Sequence, residues 1–253
     1  MIKQGSLVAV LLALAACGGS SKPTLSLPPQ TPALSNGEPT LRVADAALLG
    51  GAPAMALEVA DGILSKNPND VLAHLRKGDA LYQLKRYDEA EASFTTALKI
   101  SPSNTTALLG IGRIRLAQDP AVAAKLFSDV LAKDRANAVA LNDLGIARDL
   151  LGQHPAAQTS YRAALALKPD MLAARVNLGV SLAVSGHEKE ALEVLRPLAS
   201  SQDMSPRVRQ DLAATLALAG QDSAARQLLS KDLDPAEVSE AMVGLERLSQ
   251  RPF

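Results

Sequence analysis

A chain of 253 residues can form one large domain or two small ones. Its apolar fraction is 47% while its aromatic fraction is only 2%, so alanine and leucine carry the apolar content, which favours helices over strands. Lysine plus arginine and aspartate plus glutamate balance at 26 each, three Phe, three Tyr and no Trp give bases little to stack on, and the single cysteine excludes an internal disulfide. Nucleic acid is therefore not an expected partner.

Residues 1–16 read as a signal segment. Lys3 supplies a positive start, and Leu7 to Ala16 is an unbroken run of apolar and small residues, too short to span a bilayer as a mature helix. The run ends Leu14-Ala15-Ala16-Cys17 and is followed by Gly18, Gly19, Ser20 and Ser21. This resembles the lipobox of bacterial lipoproteins. The resemblance implies that Cys17 becomes the first mature residue and carries lipid, palmitate among its acyl chains, on its sulfur and its amine. An ordinary secretory signal with an incidental cysteine is the alternative. Gly18 stands where an aspartate would signal inner-membrane retention, which points to the periplasmic face of the outer membrane. Acyl chains anchor by burying CH₂ groups at roughly 0.8 kcal/mol each. Residues 17–36 form the lipidated cysteine and a disordered tether, with Pro23, Pro28, Pro29 and Pro32 among Ser, Thr and Gly. At roughly 5–6 Å times the square root of its length, the tether reaches about 25 Å.

From Gly37 onward one frame recurs. In residues 37–70 it carries Ala44, Gly51, Ala56, Ile63 and Pro68. In 71–104 it carries Gly78, Ala90, Phe94, Ala97 and Pro102, with Lys85 where the turn glycine stands elsewhere. Residues 105–137 hold Ile111, Gly112, Ala123, Phe127 and Val130 and are one residue short, at the turn around Gln118-Asp119-Pro120. Residues 138–171 are the clearest, with Leu144, Gly145, Gly152, Ala157, Tyr161, Ala164 and Pro169. Residues 172–205 repeat it as Leu178, Gly179, Gly186, Ala191, Leu195 and Leu198, and residues 206–239 as Leu212, Ala213, Gly220, Ala225 and Leu229. The physics of the unit follows from these residues. Small residues let two helices approach, a bulky one fills the space between them, a glycine ends the first helix in the left-handed conformation, and proline breaks the chain before the next unit.

The frame resembles the tetratricopeptide repeat, a helix–turn–helix unit of 34 residues. That implies an all-α fold, a right-handed α-solenoid of about six repeats over residues 37–239, in which each pair's apolar stripe is covered by its neighbours. Residues 240–253 form a capping helix and tail. The apolar spacing of Val238, Met242, Leu245 and Leu248 suits an amphipathic helix over Ala236 to Leu248, and Ser249 to Phe253 are expected to be disordered.

No catalytic constellation is present in the sequence, so the chain is not expected to be an enzyme or to take a small-molecule substrate. His74 falls at a packing position of its repeat, whereas His154 and His187 fall in inter-helix turns, where exposure is expected. No His or Cys spacing suggests a metal, and no cofactor is expected beyond the lipid on Cys17. Gly110-Ile111-Gly112 lies inside an expected helix and reads as packing.

The resemblance further implies that first helices line a concave face. That selects Arg76, Asp79, Tyr82, Arg113, Asn142, Asp143, Asp149, Asn177, Arg207 and Asp211 as groove residues, set among Leu and Val. The mixture suits an extended peptide or a partner helix, with a solvated helix face as the plain alternative for any one of them. The clamp that some such repeats use for a terminal carboxylate is incomplete, because Ile146 and Asp211 occupy clamp positions.

Leu195-Arg196-Pro197-Leu198 and the run from Ser205 to Gly220 are similar to the TadD lipoproteins of the tight-adherence (Flp) pilus machinery, over about Asn177 to Leu233. The resemblance implies a protein-binding scaffold at the outer membrane that assists assembly or localisation of the pilus secretin. Its partner is then the secretin or another pilus component, and it meets the membrane through its lipid. A tetratricopeptide adaptor for another envelope machine, a type IV pilus or a peptidoglycan-enzyme complex, shares every feature except the Arg207 to Gly220 phrase.

Overall fold

The computed structural model describes residues 40–199 and 206–249, and among these every regular element is an α-helix. The expected signal segment, Cys17, the expected tether and the residues after Ser249 lie outside the described residues. The chain divides between Lys133 and Asp134 into two compact units.

The first unit holds α1 (Leu41–Leu49), α2 (Pro53–Lys66), α3 (Val71–Gln83), α4 (Tyr87–Ile100), α5 (Thr105–Arg115) and α6 (Pro120–Lys133). Alanine-rich sequence favours the helices, and Asx residues start three of them, Asp70, Asn104 and Asp119. Asp70 accepts from the Ala73 amide at 2.9 Å and Asn104 from the Ala107 amide at 3.0 Å, caps worth about 1 kcal/mol each. Sequential helices pack on one another; buried alanines close α1 on α2, and one large ring fills each of the next two pairs, Phe94 for α3 and α4 and Phe127 for α5 and α6. Phe94 of α4 is wedged between two glycines. A Cβ on Gly78 of α3 would lie 2.6 Å from one edge of its ring, and a Cβ on Gly110 of α5 would lie 2.5 Å from the other. Gly112 clears Phe127 of α6 in the same way. The Gly-Ile-Gly sequence is thus a packing device serving two rings.

The turn after α3 is closed by Lys85 in the left-handed conformation, φ 62°. Its amide bonds the Tyr82 carbonyl at 2.9 Å and the Arg86 amide bonds the Leu81 carbonyl at 2.9 Å, which satisfies two carbonyls of the helix end. The shortened repeat solves its turn differently. No residue there has a positive φ, and the Asp119 carboxylate instead accepts from the Val122 amide at 3.1 Å.

The second unit holds α7 (Ala138–Leu150), α8 (His154–Leu167), α9 (Leu172–Val184), α10 (Glu188–Ala199), α11 (Pro206–Leu218), α12 (Asp222–Leu229) and α13 (Pro235–Ser249). Gly145 clears the Tyr161 ring and Gly179 clears Leu195, repeating the pairing of the first unit. α12 stops at Leu229, and α13 begins at Pro235, ahead of residue 239 where the repeat frame closes. Its start is fixed by reciprocal caps. Asp234 accepts from the Ala236 and Glu237 amides at 2.9 Å, and Glu237 accepts from the Asp234 amide at 2.9 Å. Val238, Met242 and Leu245 are buried in a cluster with Leu212, Leu228 and Leu229, so α13 covers the apolar face of α11 and α12. Leu248 has its side chain outside the described residues. Among the described residues no helix is long and apolar enough to cross a membrane.

Candidate binding groove

In the second unit α7, α9 and α11 line a cavity of about 400 Å³, with α8 closing one side. The lining follows from helical periodicity: Asn142, Ile146 and Asp149 recur along one stripe of α7, and Val176, Val180 and Val184 along one stripe of α9. Leu172, Asn177 and Ser181 of α9, and Val208 and Asp211 of α11, complete the walls. The groove is mainly aliphatic with a few convergent polar groups, the usual character of a ligand site.

Two polar systems organise it. In the first, the Asn177 amide donates to the Asn142 carbonyl oxygen at 3.0 Å, and the Asn142 amide donates to Asp143 at 3.2 Å. In the wall sits Asp149, only 7% exposed. Its Oδ1 accepts from the Ser181 hydroxyl at 2.7 Å and meets Nδ1 of His154 at 2.8 Å, and its Oδ2 accepts from the Tyr161 hydroxyl at 2.9 Å. Side chains from α7, α8 and α9 thus converge on one buried carboxylate. Burial, then the nearby charge of Asp149, hold the Tyr161 phenol well above the usual tyrosine range. Both hydroxyls donate to the carboxylate rather than to the imidazole, so neither is set up as a nucleophile activated by His154. Among the described residues no grouping of His, Cys, Asp and Glu could hold a metal ion.

The sequence-derived groove residues separate into distinct environments. Asn142, Asp149, Asn177 and Asp211 line the cavity. Asp143, buried beside Asn142, is not part of its lining. Arg207 lies in α11, with its side chain outside the described residues. Arg76, Asp79, Tyr82 and Arg113 belong to the first unit. There Arg76 pairs with Asp45 of α1 and approaches Asp79 at 3.9 Å. Burial raises the Asp79 carboxyl above its ordinary range, while Arg76 and Arg113 pull it back down. Tyr82 packs edge-on against Tyr87, with ring centroids 5.5 Å apart.

The expectation for His154 is corrected. It is not a solvated turn residue: its side chain is 22% exposed and bonded to Asp149. The reason is the turn itself. Gly152, at φ 74°, reverses the chain so that the start of α8 folds back over the end of α7. His187, in the next turn, is exposed as expected. His74 is half-buried rather than a core residue, with Nε2 at 2.8 Å from the Pro68 carbonyl. The sequence reading did not single out Ser181 or Tyr161 as site residues. Ser181 stands in α9 between groove positions, 32 residues from Asp149, and no spacing in the sequence pairs the two.

The tetratricopeptide repeat family model matches residues 41–105 and 143–206. The uncharacterized protein y4yS of Sinorhizobium fredii is 33% identical over 104 residues, which are 41% of this chain and 57% of that protein, so the match spans little more than half the relative's length. Among solved structures, the thermophilic TPR protein TTC0263 of Thermus thermophilus superposes with a TM-score of 0.61 at 22% identity, over 70% of this chain and 99% of that one. YrrB, described as a TPR protein with an unusual peptide-binding site, gives 0.53 at 21% identity, over 76% and 100%. At these identities the two structures are similar in fold.

Proposed function

Since the chain belongs to the tetratricopeptide repeat family, whose members are protein-interaction scaffolds, we propose that it is a non-enzymatic scaffold that takes a polypeptide segment of its partner into the groove of α7, α9 and α11. The observation that carries this is the cavity itself: a mainly apolar trough of about 400 Å³ with the Asn142–Asn177 amide pair in its lining. Aliphatic walls take up apolar side chains, and side-chain amides can both donate to and accept from an extended backbone. In this reading Cys17 carries lipid and tethers the scaffold to the outer membrane. Confinement to the membrane surface raises the groove's effective concentration near an envelope partner. The Leu14-Ala15-Ala16-Cys17 motif supports the anchor, and the Arg207 to Gly220 phrase supports a secretin or other component of the tight-adherence pilus as the partner.

The test is co-purification from native envelopes in mild detergent, comparing wild type with Cys17→Ala and with Val180→Trp, which fills the groove. A secretin or pilus component should accompany the wild type, fall with Cys17→Ala and be lost with Val180→Trp. A cell-wall enzyme in its place would move the assignment to an adaptor for another envelope machine. A partner unaffected by Val180→Trp would remove the groove from the mechanism.

A further inference from the structure

The chemistry of the groove says more about its occupant than that it is a polypeptide. Asp149 is a carboxylate in the lining, and no Lys or Arg side chain is present among the described lining residues. A cleft with one sign of charge and low-dielectric walls concentrates that field. The first unit differs: Asp45 and Asp79, also on first helices, are answered by Arg76 and Arg113. Asp149 is answered only by a phenol, an alcohol and an imidazole, none of them a permanent cation.

The count of acceptor sites points the same way. A carboxylate offers about four lone-pair sites, two on each oxygen. Ser181 and His154 take two on Oδ1, and Tyr161 takes one on Oδ2. One acceptor site on Oδ2 is left, on a side chain that lines the groove. The aliphatic residues Ile146, Val180 and Val184 share that wall. A lysine or arginine matches this surface, because its methylene stem lies along aliphatic walls while its head donates to a carboxylate. An acidic segment or a C-terminal carboxylate would bring like charge against Asp149.

We propose that the groove selects an apolar polypeptide segment carrying one lysine or arginine, whose cationic head completes the hydrogen bonding of Asp149. This rests on the reading of the groove as a polypeptide site. The test is selection of phage-displayed random peptides on the full chain. Enriched peptides should place Lys or Arg between aliphatic residues. A synthetic representative should lose at least about tenfold in affinity when its basic residue is replaced by norleucine, and a similar factor against Asp149→Asn. The two changes together should cost no more than either alone. Should Asp149→Asn fail to fold, the wild type carries the test: added salt should weaken the basic peptide and leave the norleucine peptide unchanged. Enriched peptides that are acidic or lack a basic residue, yet are lost with Val180→Trp, would overturn this proposal and leave the groove reading standing. Enrichment of none would overturn both.

Discussion

Tyr161→Phe isolates the hydrogen bond on which the groove wall depends. The Tyr161 ring is 1% exposed and packs where a Cβ on Gly145 would lie 2.4 Å away, so phenylalanine keeps the ring contacts and opens almost no cavity. What disappears is a hydroxyl donating at 2.9 Å to a buried carboxylate. Bonds to charged groups contribute about 1.5–3 kcal/mol, and Asp149 is too buried for water to replace the donor freely, so a loss of about 2 kcal/mol is expected. Urea unfolding followed by circular dichroism measures it, which suits a chain without tryptophan. In an Asp149→Asn background the same substitution should cost less than half as much. The pH dependence gives an independent check. The folded phenol holds its proton well above the ordinary tyrosine range, so its contribution is complete below about pH 10, the value in the unfolded chain. Above that pH the unfolded state releases the proton while the folded state keeps it, and wild-type stability falls by about 1.4 kcal/mol per pH unit. Tyr161→Phe lacks this slope, so the two curves should converge. A loss below about 0.5 kcal/mol at neutral pH, or parallel curves above pH 10, would refute the reasoning.

Gly78→Ala should destabilise by up to about 2 kcal/mol, since overpacking of about 1–3 kcal/mol against the doubly wedged Phe94 outweighs a helix-propensity gain of about 1 kcal/mol. Gly244→Ala in α13, with open space around the added methyl, should instead raise the melting temperature, and equal effects at the two sites would refute the wedge. Lys85→Gly should stabilise by about 0.5–1 kcal/mol, because left-handed strain of about 1–2 kcal/mol exceeds the entropy glycine adds to the unfolded chain; a lowered urea midpoint would contradict this. Asp79 has a raised carboxyl pKa, so its contribution is complete below the ordinary carboxylate range and is lost as pH rises through the raised value. Asp79→Asn should therefore gain on wild type between acid and neutral pH in thermal melts, and a difference moving the other way would refute the assignment.

The helix pairs were legible because their determinants sit at fixed spacing within one repeat. Gly145 and Tyr161 meet across a single turn, as do Gly78 and Phe94, and Val238, Met242 and Leu245 declare one face of one helix. The start of α13 was legible within one residue, since the apolar spacing places a helix over Ala236 to Leu248 and it begins at Pro235, where Asp234 and Glu237 cap each other, although the repeat frame runs on to residue 239. The Asp149 cluster was less legible for a physical reason. It joins α7 to His154 through a left-handed turn and to Ser181 one repeat away, so no local spacing announces it. Asn142 and Asp143 are neighbours on one helix, and only packing shows which of them faces the groove.

Two repeats make the same turn and put different chemistry on it. In one, Tyr82 and Tyr87 flank Lys85 and meet as rings 5.5 Å apart, at 36% and 41% exposure. In the other, Asp149 and His154 flank Gly152 at the same separation in sequence and meet as a hydrogen-bonded pair at 2.8 Å. Both turns close with the same two backbone bonds, one from the left-handed residue and one from the residue after it. The backbone therefore decides that these two side chains touch, and leaves their identity free. The packing residues that define the repeat are the ones this geometry constrains, and they recur in the two units alike. What the groove recognises must come from the unconstrained positions, where this chain replaces an exposed aromatic pair with a buried carboxylate carrying three hydrogen-bond partners. Departures from the repeat pattern, more than the pattern itself, are where the specificity of such a scaffold is written.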